Sequence, residues 1–130
     1  NVVKAAKKIT AMGPRMVVVK RGEHGAFLFD RESFFASPAF PVAEVSDPTG
    51  AGDTFAGGFM GYLANAKEVT PQSLRQALVM GGVMASFTIE GFSLDRLRSV
   101  AEQEIFNRFK DFKSLTSFGD LGPGSFRAAS

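Results

Sequence analysis

Three observations predict three-layer α/β packing for this chain. Apolar residues recur at helical spacing at its start and through its second half. Short runs rich in Val and Phe, the pattern of strands, lie between them. Clusters of Gly, Pro and Asp stand at the junctions.

Taken in order, Val2, Val3, Ala6, Ile9 and Met12 repeat at three and four, an amphipathic helix over 2–12 that Gly13-Pro14 ends. Met16 to Val19 is an apolar β-branched run, the mark of a buried strand in a parallel or mixed sheet. Gly22 to Gly25 makes a turn, and Ala26 to Phe29 returns as a second strand. A polar break at 30–33 precedes a short strand over Phe34 to Ala36, then Pro38 and Pro41. Val42 to Val45 reads as a last short strand. Asp53 to Ala64 is a glycine-studded helix with Phe55, Phe59, Tyr62 and Leu63 as its apolar members. Thr70-Pro71 signals a helix start, and that helix runs to about Ile89 through Leu74, Ala77, Leu78, Gly81 and Ala85. Ser93 caps a final helix whose Leu94, Leu97, Ala101, Ile105, Phe109 and Phe112 form one stripe. After Lys113 the chain turns to Ser, Gly and Pro, so residues 1–113 form one unit and 114–130 a loose tail.

The bulk numbers bound the function. With 130 residues, 45% of them hydrophobic and 22% charged, the chain can bury a core of its own. A scattered formal charge of +2 argues against a nucleic-acid partner. No apolar run approaches the roughly 20 residues that span a bilayer, so no membrane is expected, and no signal-peptide pattern opens the chain. Cytoplasm is the default compartment. Without cysteine there are no disulfides or thiolate metal sites. Phe is overused, 14 against one Tyr and no Trp. Phe106, Phe109, Phe112, Phe118 and Phe126 read as core packing of the terminal helix, or else as a patch for another domain or subunit.

One run carries chemistry: Asp47-Pro48-Thr49-Gly50-Ala51-Gly52-Asp53-Thr54-Phe55-Ala56-Gly57-Gly58. Small residues ahead of a helix leave bare backbone N–H groups at its positive end, where phosphate is attracted. An acid beside phosphate makes sense if it takes the proton of a hydroxyl attacking phosphorus. The plainer reading is a turn whose Asp caps the helix. That reading does not explain Gly57, Gly58 and Gly61, which together cost a helix about 3 kcal/mol against Ala.

The run resembles the second signature of the PfkB (ribokinase-like) carbohydrate and nucleoside kinases, nearly unbroken over its length. Val17-Val18-Val19-Lys20-Arg21-Gly22-Glu23-His24-Gly25-Ala26 resembles the family's strand and turn at the nucleotide site. Ala85-Ser86-Phe87-Thr88-Ile89-Glu90-Gly91-Phe92 is similar to its segment near the adenine and a monovalent cation. The resemblance covers roughly residues 1–112 and implies the C-terminal, nucleotide-binding part of a ribokinase-like α/β/α sandwich. It implies an ATP- and Mg²⁺-dependent transfer to an alcohol of a small sugar, or of a nucleoside in the adenosine-kinase manner. It assigns Asp53 as base and the N–H groups of Gly50, Ala51 and Gly52 as an anion hole. Lys20, Gly22, Gly25 and Gly52 would border ATP, and Asp47 and Thr49 would hold K⁺ or a similar ion, although Asp47-Pro48 is also plain turn chemistry. Family members are longer and keep acceptor site and lid upstream of these blocks. This chain alone is then expected to be an inactive half, open to self-association through sheet edges and Phe-rich surface. A non-catalytic nucleotide-binding module is the rival from another class.

Other signals fall away. Phe55 stands where a dinucleotide fingerprint needs glycine, and no P-loop pattern occurs. Asn65-Ala66-Lys67-Glu68 spells the family's Asn-x-x-Glu metal motif in the wrong context. His24 reads as a solvated turn residue. Met80-Gly81-Gly82 departs from the polar Asn that many relatives carry against adenine.

Overall fold

The computed structural model describes residues 1–126. Its elements are α1 (Val2–Ala11), β1 (Met16–Lys20), a 3₁₀ turn (Gly22–His24), β2 (Ala26–Asp30), β3 (Phe34–Ser37), α2 (Ala51–Asn65), α3 (Pro71–Glu90), α4 (Asp95–Ser99) and α5 (Glu102–Thr116).

The three strands pair in sequence order, with Val18 opposite Leu28 and Leu28 opposite Phe35. Alternation puts Met16, Val18, Ala26, Leu28 and Phe35 on one face, where Ala26 and Leu28 are buried with Leu74 and Leu78 of α3. Phe55, Phe59 and Leu63 of α2 close that core. On the other face Phe29 and Phe34 stack at 4.9 Å, on the side where α1 buries Ala6. Helix, sheet and helix pair make the predicted α/β/α layering.

Several details correct the sequence reading. The sheet is antiparallel at both pairings, not parallel or mixed. Short hairpin turns join its strands, and parallel neighbours would need a long crossover. Val42–Val45 forms no strand. Among the described residues no strand pairs with it, and the N–H groups of Ser46 and Asp47 that follow go to Ile89 O, at 2.8 and 3.4 Å. The last helix is broken in two, and Ser93 does not cap it; it lies outside with φ +54°, and α4 starts after Leu94. The restart at α5 has a local cause: Glu104 accepts the Ala101 N–H at 2.8 Å and the Arg96 guanidinium at 2.7 Å. Finally, the terminal Phe residues divide. Phe112 is buried with Val83 and Phe87, with Phe109 packed beside them, whereas Phe106, Phe118 and Phe126 are exposed. α5 also reaches Thr116, so the first residues of the expected tail are helical, and its last four, 127–130, lie outside the described residues.

The start of α3 is as expected. Thr70 Oγ1 accepts the Ser73 N–H at 3.0 Å while Ser73 Oγ accepts the Thr70 N–H at 2.7 Å, a reciprocal cap with Pro71 in the first turn. α2 and α3 approach at two glycines. A Cβ on Gly58 would lie 3.1 Å from Gly81 Cα, and one on Gly81 would lie 2.9 Å from Phe55 O. Gly57 and Gly61 face open space instead.

Two carboxyls tie local structure to pH. The Ser33 hydroxyl, then the N–H groups of Glu32 and Ser33, hold Asp30 below its ordinary pKa. The Arg96 guanidinium, then the Ala101 N–H, does the same for Glu104. The folded form therefore binds fewer protons than the unfolded one across the acid range. Their stabilisation is complete above the ordinary carboxylate pKa of about 4 and is lost as pH falls through the lowered values. Urea midpoints should be level near neutrality and drop below about pH 4, with a shallower drop in the Asp30→Asn, Glu104→Gln double variant. An unchanged acid slope in that variant would refute the assignment.

Candidate active site

The N-terminus of α2 is built by the backbone. Gly50 takes φ +81°, a left-handed conformation that a Cβ would penalise. Its carbonyl accepts from the Thr54 N–H at 2.9 Å and from Thr54 Oγ1 at 3.0 Å. The Ala51 N–H, expected in the anion hole, turns back to Pro48 O at 3.2 Å instead. No side chain caps the helix. Among the described residues nothing accepts from the N–H groups of Gly50, Gly52 or Asp53. Three donors at a positive helix end thus have no partner among the described residues, and Asp53 stands exposed in the first turn rather than capping it.

The β1–β2 hairpin brings Lys20 to the same place. Its Nζ donates to Gly52 O at 3.0 Å. An ammonium and a helix N-terminus both carry positive charge, so the two together favour an anion nearby. Gly22 and Gly25 shape the hairpin, both at positive φ. The need for glycine at position 25 comes from packing, because a Cβ there would lie 2.0 Å from Ser37 O. His24 is exposed in the turn, as expected, 3.6 Å from the Glu23 carboxylate.

Asp47 and Thr49 are joined by a turn in which Asp47 Oδ1 accepts the Thr49 N–H at 2.9 Å. That N–H, then the Thr49 hydroxyl, holds the Asp47 carboxyl below its ordinary pKa and keeps it an anionic oxygen donor. This suits a hard cation, but one oxygen is committed to the turn. Among the described residues no three acidic or imidazole groups cluster as a metal site. Two grooves lie elsewhere, about 500 Å³ beside Arg15, Asp30, Arg31 and Glu32 and about 600 Å³ between α1 and the β2–β3 turn, and none of the site residues named above lines them.

Several contacts around the site carried no signal in the sequence. Thr88 Oγ1 donates to Thr54 Oγ1 at 3.0 Å, linking α3 to the Gly50 carbonyl through Thr54. Arg96 and Arg108 converge on Glu90 at the end of α3. These groups lie up to 34 residues from the partners they bind, and no spacing rule joins them.

Residues 1–96 match the model of the pfkB family carbohydrate kinases. The chain is 46% identical over 65 residues to a cytidine kinase of Thermococcus kodakarensis, covering 48% of this chain and 23% of that protein. It is 36% identical over 85 residues to a fructoselysine 6-kinase of Escherichia coli, covering 65% of this chain and 30% of that protein. It superposes on the Arabidopsis thaliana ribokinase solved with ribose and ATP with a TM-score of 0.71 and 25% identity, over 84% of this chain and 33% of that one. The chain therefore spans about a quarter to a third of the proteins it resembles. Among the described residues no helix is long and apolar enough to cross a membrane.

Proposed function

This chain belongs to the pfkB family of carbohydrate kinases, and from that premise we propose that it supplies the phosphoryl-transfer site of an ATP-dependent kinase acting on an alcohol group of a small sugar. The observation that carries this is the meeting of Lys20 with the uncapped N-terminus of α2, with Asp53 one residue beyond the carbonyl that Lys20 binds.

Each residue then has a task. Bound ATP would supply the phosphoryl group, with Mg²⁺ carried on its phosphates and neutralising their charge. Lys20 and the unpartnered N–H groups of Gly50, Gly52 and Asp53 hold charge that develops on the phosphoryl oxygens. The Ala51 N–H, turned to Pro48 O, keeps the Gly50–Ala51 peptide in place. Asp53 takes the proton of the acceptor hydroxyl as that oxygen bonds to phosphorus, while the bridging P–O bond breaks and ADP leaves. Asp47 and Thr49 offer oxygens to a monovalent cation beside this loop.

A nucleoside acceptor is the second reading, favoured by the 46% identity to a cytidine kinase. Both acceptor classes present a sugar alcohol to the same base. The test is transfer of phosphate from Mg²⁺-ATP to a panel of sugars and nucleosides by the complete polypeptide containing these residues. Transfer to a free sugar is the expected result, and transfer to a nucleoside alone would move the assignment to the second reading. ATP binding with no transfer to any acceptor would overturn both in favour of a non-catalytic nucleotide-binding module.

A further inference from the structure

The loop that carries the signature hangs from the last turn of α3. Ser46 and Asp47 donate their N–H groups to Ile89 O, and Ser46 Oγ donates to Glu90 O at 3.1 Å. Thr88 reaches Gly50 O through Thr54. A helix end has unpaired carbonyls, and here the signature loop takes two of them. The loop can then be only as well placed as that turn.

α5 secures the turn. Arg108 donates through Nη1 to Glu90 Oε1 and, at 3.0 Å, to Ser86 Oγ. Its guanidinium lies 3.7 Å from the centre of the buried Phe87 ring. Arg96 adds a second cation 3.9 Å from Glu90. Arg108 and Glu90 keep only 19% and 25% of their side-chain surface, so the pair is shielded from the screening that weakens surface ion pairs. Arg108 also lies beyond residues 1–96, which the family model matches.

We propose that Arg108, acting through Glu90 and Ser86, is a positioning residue for the phosphate-binding loop. It reaches the site through the end of α3, and the proposal rests on the kinase reading above. Removing it leaves Lys20 and Asp53 in the chain but frees the turn from which residues 46–54 hang. Transition-state alignment should suffer more than nucleotide affinity.

The experiment compares Arg108→Met, Arg108→Lys and Glu90→Gln in the complete polypeptide. Val83→Ala, a buried change in the same core away from the loop, is the control, and urea midpoints match the variants for lost stability. The expected result for Arg108→Met is a kcat about 10- to 100-fold lower with KM for ATP little changed. Arg108→Lys, which keeps the charge facing Glu90, should recover part of the loss. Amide exchange at Ser46, Asp47 and Thr54 should quicken in Arg108→Met and Glu90→Gln but not in Val83→Ala. Equal kcat and equal loop exchange in Arg108→Met and Val83→Ala would overturn the proposal. If the unmodified protein transfers no phosphate, the kinase reading fails by itself, and the exchange comparison alone decides whether Arg108 holds the loop.

Discussion

Replacing Asp53 with Asn is expected to lower kcat by about 10²- to 10⁴-fold, the usual contribution of a general base, with ATP affinity retained. Asn has the size of Asp and can still accept a hydrogen bond, but it takes up no proton. The variant should also fold normally. Asp53 is exposed and caps nothing, and Gly50 together with Thr54 holds the helix start without it. Steady-state kinetics beside a nucleotide-binding titration separates the two effects. Unchanged kcat would remove Asp53 from the chemistry, and lost ATP binding with intact folding would make it a binding residue instead.

Gly25→Ala should show the largest loss of stability of any single methyl addition in the hairpin. The added carbon would lie 2.0 Å from Ser37 O and 2.7 Å from the Pro38 carbonyl carbon, both backbone atoms with no rotamer to yield. The residue also holds φ +84° and ψ −145°, a region open essentially to glycine. Strain and overpacking each cost about 1–3 kcal/mol, so about 2–6 kcal/mol is expected. Gly22→Ala is the comparison. Gly22 shares a positive φ of +56° but nothing lies within 4 Å of its Cβ position, so only the left-handed cost of about 1–2 kcal/mol applies. Urea unfolding of both variants measures the difference. Equal losses would mean that the hairpin adjusts and that packing against Ser37 and Pro38 is not what requires glycine.

Local pattern and tertiary contact divide the rest of the account. The helix over 2–11, the hairpin strands and the Thr70-Pro71 start of α3 were all legible, because each rests on periodicity or on a cap within a few residues. The Val42–Val45 segment was not. A strand exists only when a neighbour pairs with it, and here the donors that follow it find the end of α3. The division of the last helix depended on Glu104 reaching both Ala101 and Arg96, which apolar periodicity does not report. The glycines of α2 show the same limit. All three looked costly in sequence, yet only Gly58 meets α3, and Gly57 and Gly61 face open space.

The sequence by itself determined the family. A dozen contiguous residues encode a left-handed glycine, a helix start and an acid, and such local geometry is written in neighbouring positions. Tertiary structure alone decided that Lys20 meets Gly52, that Thr88 steadies Gly50 through Thr54, and that Arg108 closes on Glu90. Those contacts join residues 18 to 34 positions apart. Charge and hydrogen-bond complementarity at that range depends on how the layers pack, and no period in the chain records it.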